Sequence, residues 1–271
     1  MQFIKRRLKA KYLSLLGIHF APRTFQEALV RLEAATPFLL VGLPRSGTSI
    51  TQSWINQHPQ AYVSYESIIE PFIQEKNRYR LAAFYYESLR QHEHLVSSLG
   101  GNNTKPSVQS SHYSLIGNKS IFQQGKKYQQ GLVSAINKQT NLKVVFIDRD
   151  PKDRIASILK WHDKRDTTLV NTVATSTNTK KIIQTECHRS NDFTQFVSQF
   201  IDKENVLVLN YERLATKNVD VHALFSFMGL SECDEVKSFF QDTMQAGSIE
   251  KWREDLSEEQ LRLIETLCIK K

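Results

Sequence analysis

A glycine-rich loop between two apolar segments is the part of the sequence best suited to bind phosphate. The loop reads Gly42-Leu43-Pro44-Arg45-Ser46-Gly47-Thr48-Ser49, and the apolar run of residues 38–41 precedes it. Two glycines separated by four residues, with a hydroxyl residue two positions after the second glycine, form the frame of a phosphate-binding loop. Because the backbone N–H groups of such a turn and of the helix after it face an anion, we predict an anion site here.

The cation of this loop differs from that of loops that bind ATP. Thr48 occupies the lysine position of those loops, so the β- and γ-phosphates of ATP lack their usual partner. The predicted strand at residues 144–147 leads into Asp148, but Arg149 follows at once, so no acid stands clearly placed to hold a metal. The loop carries Arg45 as its cation instead.

A second candidate phosphate contact follows the predicted strand at residues 144–147. Arg149 ends this strand, and Ser157 lies about two turns into the helix that begins at Pro151. Ligands of α/β folds bind at the carboxyl ends of strands. Arg149 can make a forked contact to a phosphate there, and Ser157 can add a hydroxyl donor. The alternative is a structural role, since an arginine and a serine eight residues apart mean little by themselves.

The two units, taken in this order, resemble the PAPS-dependent sulfotransferases, whose sulfuryl donor is 3′-phosphoadenosine 5′-phosphosulfate (PAPS). In that family the pattern Pro-(Lys/Arg)-Ser-Gly-Thr-(Thr/Ser) holds the 5′-phosphosulfate, and an arginine followed eight residues later by a serine holds the 3′-phosphate. The matching residues here are Pro44, Arg45, Ser46, Gly47, Thr48 and Ser49 for the first pattern, and Arg149 and Ser157 for the second. The resemblance implies PAPS as co-substrate, 3′-phosphoadenosine 5′-phosphate (PAP) as product, and no metal.

Two later stretches are similar to the same family, so the resemblance extends from about residue 38 to the C-terminus. Residues 210–214 are similar to a Tyr-Glu-x-Leu stretch after a late strand, and residues 247–253 to the loop that covers the nucleotide. The resemblance therefore adds four candidate cofactor contacts: Tyr211, Lys251, Trp252 and Arg253. Tyr211 as a packed aromatic is the alternative. Ile50 stands where the cytosolic branch often has a tryptophan for the adenine, which leaves Trp252 as the candidate for stacking.

Between the two phosphate patterns the sequence is most similar to the Golgi-type, tyrosylprotein and bacterial branches. There, His-Pro and then a glutamate follow the first helix, and an Asn-Lys or Asp-Lys pair precedes the second unit. His58-Pro59 with Glu66, and Asn118-Lys119, occupy these places. The resemblance makes Glu66 the candidate general base and Lys119 a second catalytic cation, beside Arg45, at the transferred group.

Other roles remain open for these catalytic candidates. Glu66 can instead be an acid at a helix N-terminus, and Lys119 can be a solvated lysine in a loop. His162 and His112 are the alternative bases. In the catalytic reading, the fixed cations stabilise the charge that develops on the departing phosphate oxygen, and a carboxylate takes the proton of the attacking hydroxyl or amine.

The elements that must position these residues alternate between strand and helix patterns. Strands are predicted at residues 38–41, 61–65, 115–117, 144–147 and 206–209, with the short third strand ending at Asn118-Lys119. This alternation predicts one α/β domain over residues 1–271, a three-layer sandwich with a mostly parallel central sheet. The resemblance makes the fold P-loop NTPase-like. A last helix is predicted from Ser257, with Gln260 as its capping-box partner.

Three segments are predicted to lie outside this framework. Residues 1–35 carry a basic amphipathic helical pattern, which either packs on the domain or makes a peripheral membrane contact. Residues 100–111 are predicted to form a loop, and residues 167–180, with six threonines, a mobile surface segment. Because such variable loops build acceptor pockets, a glycan, a lipid, a small phenol and a peptide tyrosine all remain open as acceptors. A glycan or a small hydroxylated metabolite is preferred, since the sequence lacks the secretory features expected of a tyrosylprotein enzyme.

Composition limits the classes of protein that remain. The formal charge of +8 favours an anionic partner. Apolar runs stay far below the roughly 18 residues of a membrane helix, and the N-terminus is a poor secretory signal, so we expect a cytoplasmic protein. Three scattered cysteines indicate neither a disulfide framework nor a zinc site.

Three functions are therefore compared. The first is a sulfotransferase that acts on a hydroxyl or amine acceptor and has no nucleic acid partner. The second is a P-loop phosphotransferase or NTPase, which predicts magnesium-dependent ATP binding. The third is a non-catalytic protein that binds polyanions through its basic surface. Oligomeric state is left open by the sequence.

Overall fold

The computed structural model of the protein describes residues 34–64, 113–166, 176–244 and 249–269. Its strands are β1 (Thr36–Gly42), β2 (Ala61–Ser64), β3 (Leu115–Ile121), β4 (Lys143–Asp148) and β5 (Val206–Asn210). Its helices are α1 (Thr48–Ile55), α2 (Lys126–Lys138), α3 (Pro151–Asp166), α4 (Ser176–Ser198), α5 (Tyr211–Ala215), α6 (Val221–Phe227), α7 (Asp234–Thr243), α8 (Trp252–Asp255) and α9 (Glu258–Leu267). Each predicted strand is therefore present, with somewhat different ends.

The five strands form one sheet in the order β2-β3-β1-β4-β5. All four pairings are parallel, with Leu40 of β1 aligned to Lys119 of β3 on one side and to Val145 of β4 on the other. The carboxyl ends of the three central strands therefore meet at one edge of the sheet. This edge is where both phosphate motifs begin.

Apolar side chains cover both faces of the sheet, because successive residues of a strand point to opposite sides. Leu39 and Val41 pack in a cluster with Phe193 and Phe196 of α4. Phe38 and Leu40 pack on the other face with residues of α1, α6 and α7, such as Trp54. The three layers predicted from the sequence are confirmed.

Two predicted boundaries are wrong. The third strand does not end at Asn118-Lys119 but continues to Ile121, and both residues are buried within it. The segment predicted as mobile includes residues 176–180, which form the first turns of α4. Ile183 and Cys187 of the same helix are buried against α3 and α9, so packing further along the helix stabilises a polar start.

The helix ends follow their local sequence. Ser257 caps α9 and shares a reciprocal capping box with Gln260, as predicted. Asn210 accepts a hydrogen bond from the Arg213 amide and so caps α5 directly after β5. The predictions for residues 1–33 and 100–111 lie outside the described residues. Within the described part of the chain, no helix is both long and apolar enough to span a membrane.

Candidate active site

The loop between β1 and α1 needs its second glycine for two separate reasons. Gly47 caps α1 with a φ of 97°, in the left-handed region that favours glycine. A Cβ atom at this position would lie 2.1 Å from the Tyr211 ring. Gly47 therefore lets the loop turn tightly against an aromatic side chain and exposes the first N–H groups of α1.

The first glycine of the loop permits a second close approach. A Cβ atom at Gly42 would lie 2.5 Å from Ser46 Oγ and 2.7 Å from Thr48 Cγ2. Ser46 is almost fully buried, at 1% exposure, and its backbone amide donates to the Leu43 carbonyl at 3.1 Å, which closes the turn of the loop. The motif thus fixes the backbone of the loop as well as its side chains.

Arg45, Ser157 and Arg149 join the two phosphate motifs. The Arg45 guanidinium donates from Nε to Ser157 Oγ at 3.0 Å, and Arg149 donates from Nη1 to the Arg45 carbonyl at 2.9 Å. The Arg149 guanidinium also lies 4.5 Å from the centre of the Tyr211 ring. Residues more than 100 positions apart are thus brought into one cationic cluster, as the sequence predicts for an anion site.

Lys119 reaches the same loop from the neighbouring strand. It lies near the end of β3, is 1% exposed, and donates from Nζ to Ser49 Oγ at 2.9 Å. The interpretation of Lys119 as a solvated loop residue is therefore wrong, because β3 is longer than predicted. A lysine buried this fully needs a polar partner, and the partner is a residue of the phosphate-binding loop.

Residues of both phosphate motifs line an open cavity of about 910 Å³ at the carboxyl edge of the sheet. The predicted residues on its wall are Pro44, Arg45, Gly47, Thr48, Ser49, Arg149, Ser157, Tyr211 and Lys251. Ile50 and the alternative base His162 also line it. Among the predicted contacts that the structure describes, Ser46, Lys119, Trp252 and Arg253 do not line the cavity, and the others converge on it.

Trp252 and Arg253 have other partners in the described structure. The Trp252 ring carries Lys152 at 4.7 Å and Arg253 at 4.5 Å from its centre, and it packs against the cluster between α3, α4 and α9. Arg253 pairs with Glu250 at 3.0 Å. Neither side chain lines the cavity, so the prediction that Trp252 stacks on the adenine gains no support from its position.

Several residues of the cavity wall were missed by the sequence reasoning. They are Asp153, Lys160, Trp161, Glu186, Arg189 and Asp255. The spacing along α3 carries a usable signal, because Asp153 and Trp161 lie four residues before and after Ser157 and share its face of the helix. Glu186 and Arg189 belong to α4, and nothing in the local sequence indicates which face of α4 meets the site.

A buried ion pair fixes α3 against α4 beside the cavity. Arg154 is 1% exposed and donates from Nη1 to Glu186 Oε2 at 2.7 Å and from Nη2 to Ser190 Oγ at 2.8 Å. Glu186 also accepts from Arg189 at 2.7 Å. Burial lowers the pKa of Arg154 from its ordinary value, while Glu186 opposes this change.

The residue after Tyr211 supports the second motif. The Glu212 carboxylate accepts a hydrogen bond from the Asp150 amide at 3.0 Å, in the turn that carries Arg149. Burial raises the pKa of Glu212, and the Asp150 amide opposes that change. Tyr211 and Glu212 together therefore hold Gly47, Arg149 and the start of α3 in place.

Some predicted site residues lie outside the described residues. They are Glu66, His112 and the Gly247-Ser248 pair. The assignment of Glu66 as general base stays a prediction from the sequence.

The comparisons with known proteins agree with this fold. The family model described as the sulfotransferase domain matches residues 35–259. Mouse sulfotransferase SULT7A1, solved in complex with PAP, is similar with a TM-score of 0.54 and 16% identity, covering 93% of this chain and 91% of that one. The sulfotransferase domain of the Synechococcus PCC 7002 olefin synthase has a TM-score of 0.50 and 15% identity, covering 88% and 96% respectively. The comparison with curated protein sequences found no match.

The family match spans most of the chain, and the protein therefore belongs to the sulfotransferase domain family. The two solved structures are similar in fold, which confirms the predicted α/β architecture. The protein is thus a sulfotransferase, as the ordered pair of phosphate motifs indicates.

Proposed function

We propose that this sulfotransferase moves the sulfuryl group of PAPS to a hydroxyl or amine acceptor, without a metal. The observation that carries the proposal is the contact between the two phosphate motifs. The Arg45 side chain bonds to Ser157, and the Arg149 side chain bonds to the Arg45 backbone. A ligand with phosphate groups at two ends of one nucleotide fits a site in which two phosphate-binding motifs share one wall.

The residues of the cavity divide into two groups by motif. The amides at the start of α1, with the nearby Arg45 and Ser49, suit the 5′ end of the nucleotide, because the N–H groups of a first helical turn bind anions. Arg149 and Ser157 suit the 3′-phosphate, since a guanidinium and a hydroxyl supply charge-assisted donors. PAPS, when bound, supplies the activated sulfuryl group.

The chain's own residues then provide charge and proton transfer. Arg45, the loop amides and Lys119 stabilise negative charge near the 5′ end, because donors fixed before the reaction need no reorganisation. Lys119 is held for this role by the buried end of β3 and by Ser49. Glu66 accepts the proton of the acceptor as it attacks in line, and His162, which lines the cavity, is the alternative base.

The acceptor is proposed to be a glycan or a small hydroxylated metabolite. The described wall includes an exposed aromatic, Trp161, at 43% exposure, and polar side chains of α3 and α4. An aromatic face beside polar groups suits a hydroxylated ring that offers both an apolar side and hydrogen-bonding edges. Transfer of labelled sulfate from PAPS to a panel of glycans, phenols and peptides identifies the acceptor class.

A thermal-shift experiment with three ligands tests the proposal. PAP in the presence of EDTA is expected to raise Tm by roughly 5 to 10 °C at 100 times its Kd. ATP with magnesium is expected to give a much smaller shift, since Thr48 replaces the loop lysine. A larger shift with ATP and magnesium would favour the NTPase function, and a shift with heparin alone would favour polyanion binding.

A further inference from the structure

Asp153 is a buried acid of the second motif whose partner lies far along the chain. It is 3% exposed, in the first turn of α3, and its Oδ2 accepts a hydrogen bond from the Glu250 amide at 2.9 Å. The two residues are 97 positions apart. A hydrogen bond that a charged acceptor makes in a buried place is stronger than an ordinary one.

The backbone that Asp153 holds has an unfavourable local conformation. Glu250 has a φ of 57°, in the left-handed region of backbone conformation that residues other than glycine rarely adopt. The next residue, Lys251, lines the same cavity as Arg45 and Ser157. Since the local sequence does not favour this turn, a tertiary contact is needed to keep Lys251 on the cavity wall.

The other contacts between α3 and this segment are more exposed. Lys160 pairs with Asp255 at 3.0 Å, but the Lys160 side chain is 55% exposed. The Lys152 ammonium lies 4.7 Å from the centre of the Trp252 ring. Exposed ion pairs are screened by water and contribute little, so the buried Asp153 bond is the contact best able to fix the turn.

We propose that Asp153 is a positioning residue, which acts through the Glu250 amide to place the Lys251 ammonium at the nucleotide cavity. This inference rests on the proposed function, because PAP is its probe. Asp153 does not contribute by its own charge, which would repel a phosphate. Its contribution is the acceptor oxygen, and the phosphate-binding cation is Lys251.

A double-mutant cycle on PAP binding tests whether Asp153 acts through Lys251. D153A and K251A are each expected to weaken PAP binding about 10-fold or more by calorimetry, as for a lost charge-assisted contact. The double variant is expected to bind no more weakly than K251A, because Asp153 acts through Lys251. Losses that multiply in the double variant would overturn the proposal.

Two further variants separate positioning from general stability. D153N keeps an oxygen that can accept from the Glu250 amide but loses the charge that strengthens this bond, so its PAP affinity is expected to fall clearly less than that of D153A. E258Q changes an acid of the first turn of α9 whose side chain is 89% exposed, and it is expected to leave PAP affinity unchanged and to lower Tm only slightly, through the loss of charge at a helix N-terminus. If D153A fails to fold, D153N decides. A tenfold loss of affinity in D153N, with the Glu250 amide still protected, would overturn the proposal.

Hydrogen exchange at the Glu250 amide provides a readout that is independent of the nucleotide. The amide is expected to be protected in the wild type and in K251A, and to exchange faster in D153A. Protection that survives in D153A would overturn the proposal. If the wild type does not bind PAP, the proposed function fails, whereas the exchange result still decides whether Asp153 holds the turn.

Discussion

Arg149 contacts the loop carbonyl of Arg45 and the Tyr211 ring at the same time, and so connects the second motif to the first. Arg149→Ala is expected to weaken PAP binding by about 2 kcal/mol or more, through loss of a charge-assisted contact. Ser157→Ala removes a neutral donor and should cost less. Calorimetry gives the PAP affinity of both variants and so tests this order. Wild-type affinity in Arg149→Ala would refute the assignment of the second motif to the 3′-phosphate.

Lys119 offers a test of the charge on the loop. Lys119→Met keeps much of the side-chain volume but removes the ammonium that bonds to Ser49. We expect turnover to fall about 10²- to 10³-fold, as for one lost transition-state donor. Lys126→Met, at the exposed start of α2, is the matched control. Equal turnover in the two variants would show that Lys119 is structural.

Glu66 is tested by separating basicity from stability. Glu66→Gln keeps the size of the side chain but cannot accept a proton, so turnover should fall about 10²- to 10⁴-fold with PAP affinity almost unchanged. If the residue only stabilises a helix N-terminus, turnover stays nearly intact and stability falls by about 0.3–1 kcal/mol. Steady-state kinetics and Tm on the same variant distinguish the two roles. If turnover stays nearly intact, His162 and His112 become the next candidates for the base.

The loop between β1 and α1 is the element whose geometry controls the site. Gly47→Ala forces a Cβ atom into the Tyr211 ring and places alanine at a φ of 97°. The left-handed conformation alone costs about 1–2 kcal/mol, so we expect lower stability and loss of PAP binding.

Gly125→Ala is the control for this loop. Nothing lies within 4 Å of the added Cβ atom, and φ is −66°, so a change of under about 1 kcal/mol is expected from the loss of a glycine N-cap. Chemical denaturation measures both variants. If Gly47→Ala were as stable as Gly125→Ala and still bound PAP, the loop would be far more adaptable than the contacts indicate.

For the whole molecule, the contact between α3 and α4 connects the site to the rest of the fold. Glu186→Ala leaves Arg154 buried without its carboxylate, and we expect it to lower the free energy of unfolding by about 3–5 kcal/mol. Arg189→Ala removes the more exposed partner of the same carboxylate and should cost less than about 1 kcal/mol. Urea denaturation compares the two, and a similar loss in both would show that burial of the pair contributes little.

The features that the sequence determined by itself are those set by residues close together in the chain. The phosphate-binding loop, the strand before Arg149 and the capping box of Ser257 with Gln260 depend on local periodicity and local hydrogen bonds. The alternation of strands and helices also predicted a mostly parallel sheet, in which the carboxyl ends of the strands share one edge. That β1 and β4 are neighbours in this sheet, so that the two motifs meet, came only from the tertiary structure.

Only the tertiary structure decided which distant groups pair. Lys119 meets Ser49 because β3 continues beside β1 for seven residues. Asp153 meets Glu250 across 97 positions. Trp252 lies between Lys152 and Arg253 instead of on the cavity wall. The physical reason is that each of these partners is selected by strand register and by helix packing, which depend on the whole core and not on the neighbouring sequence.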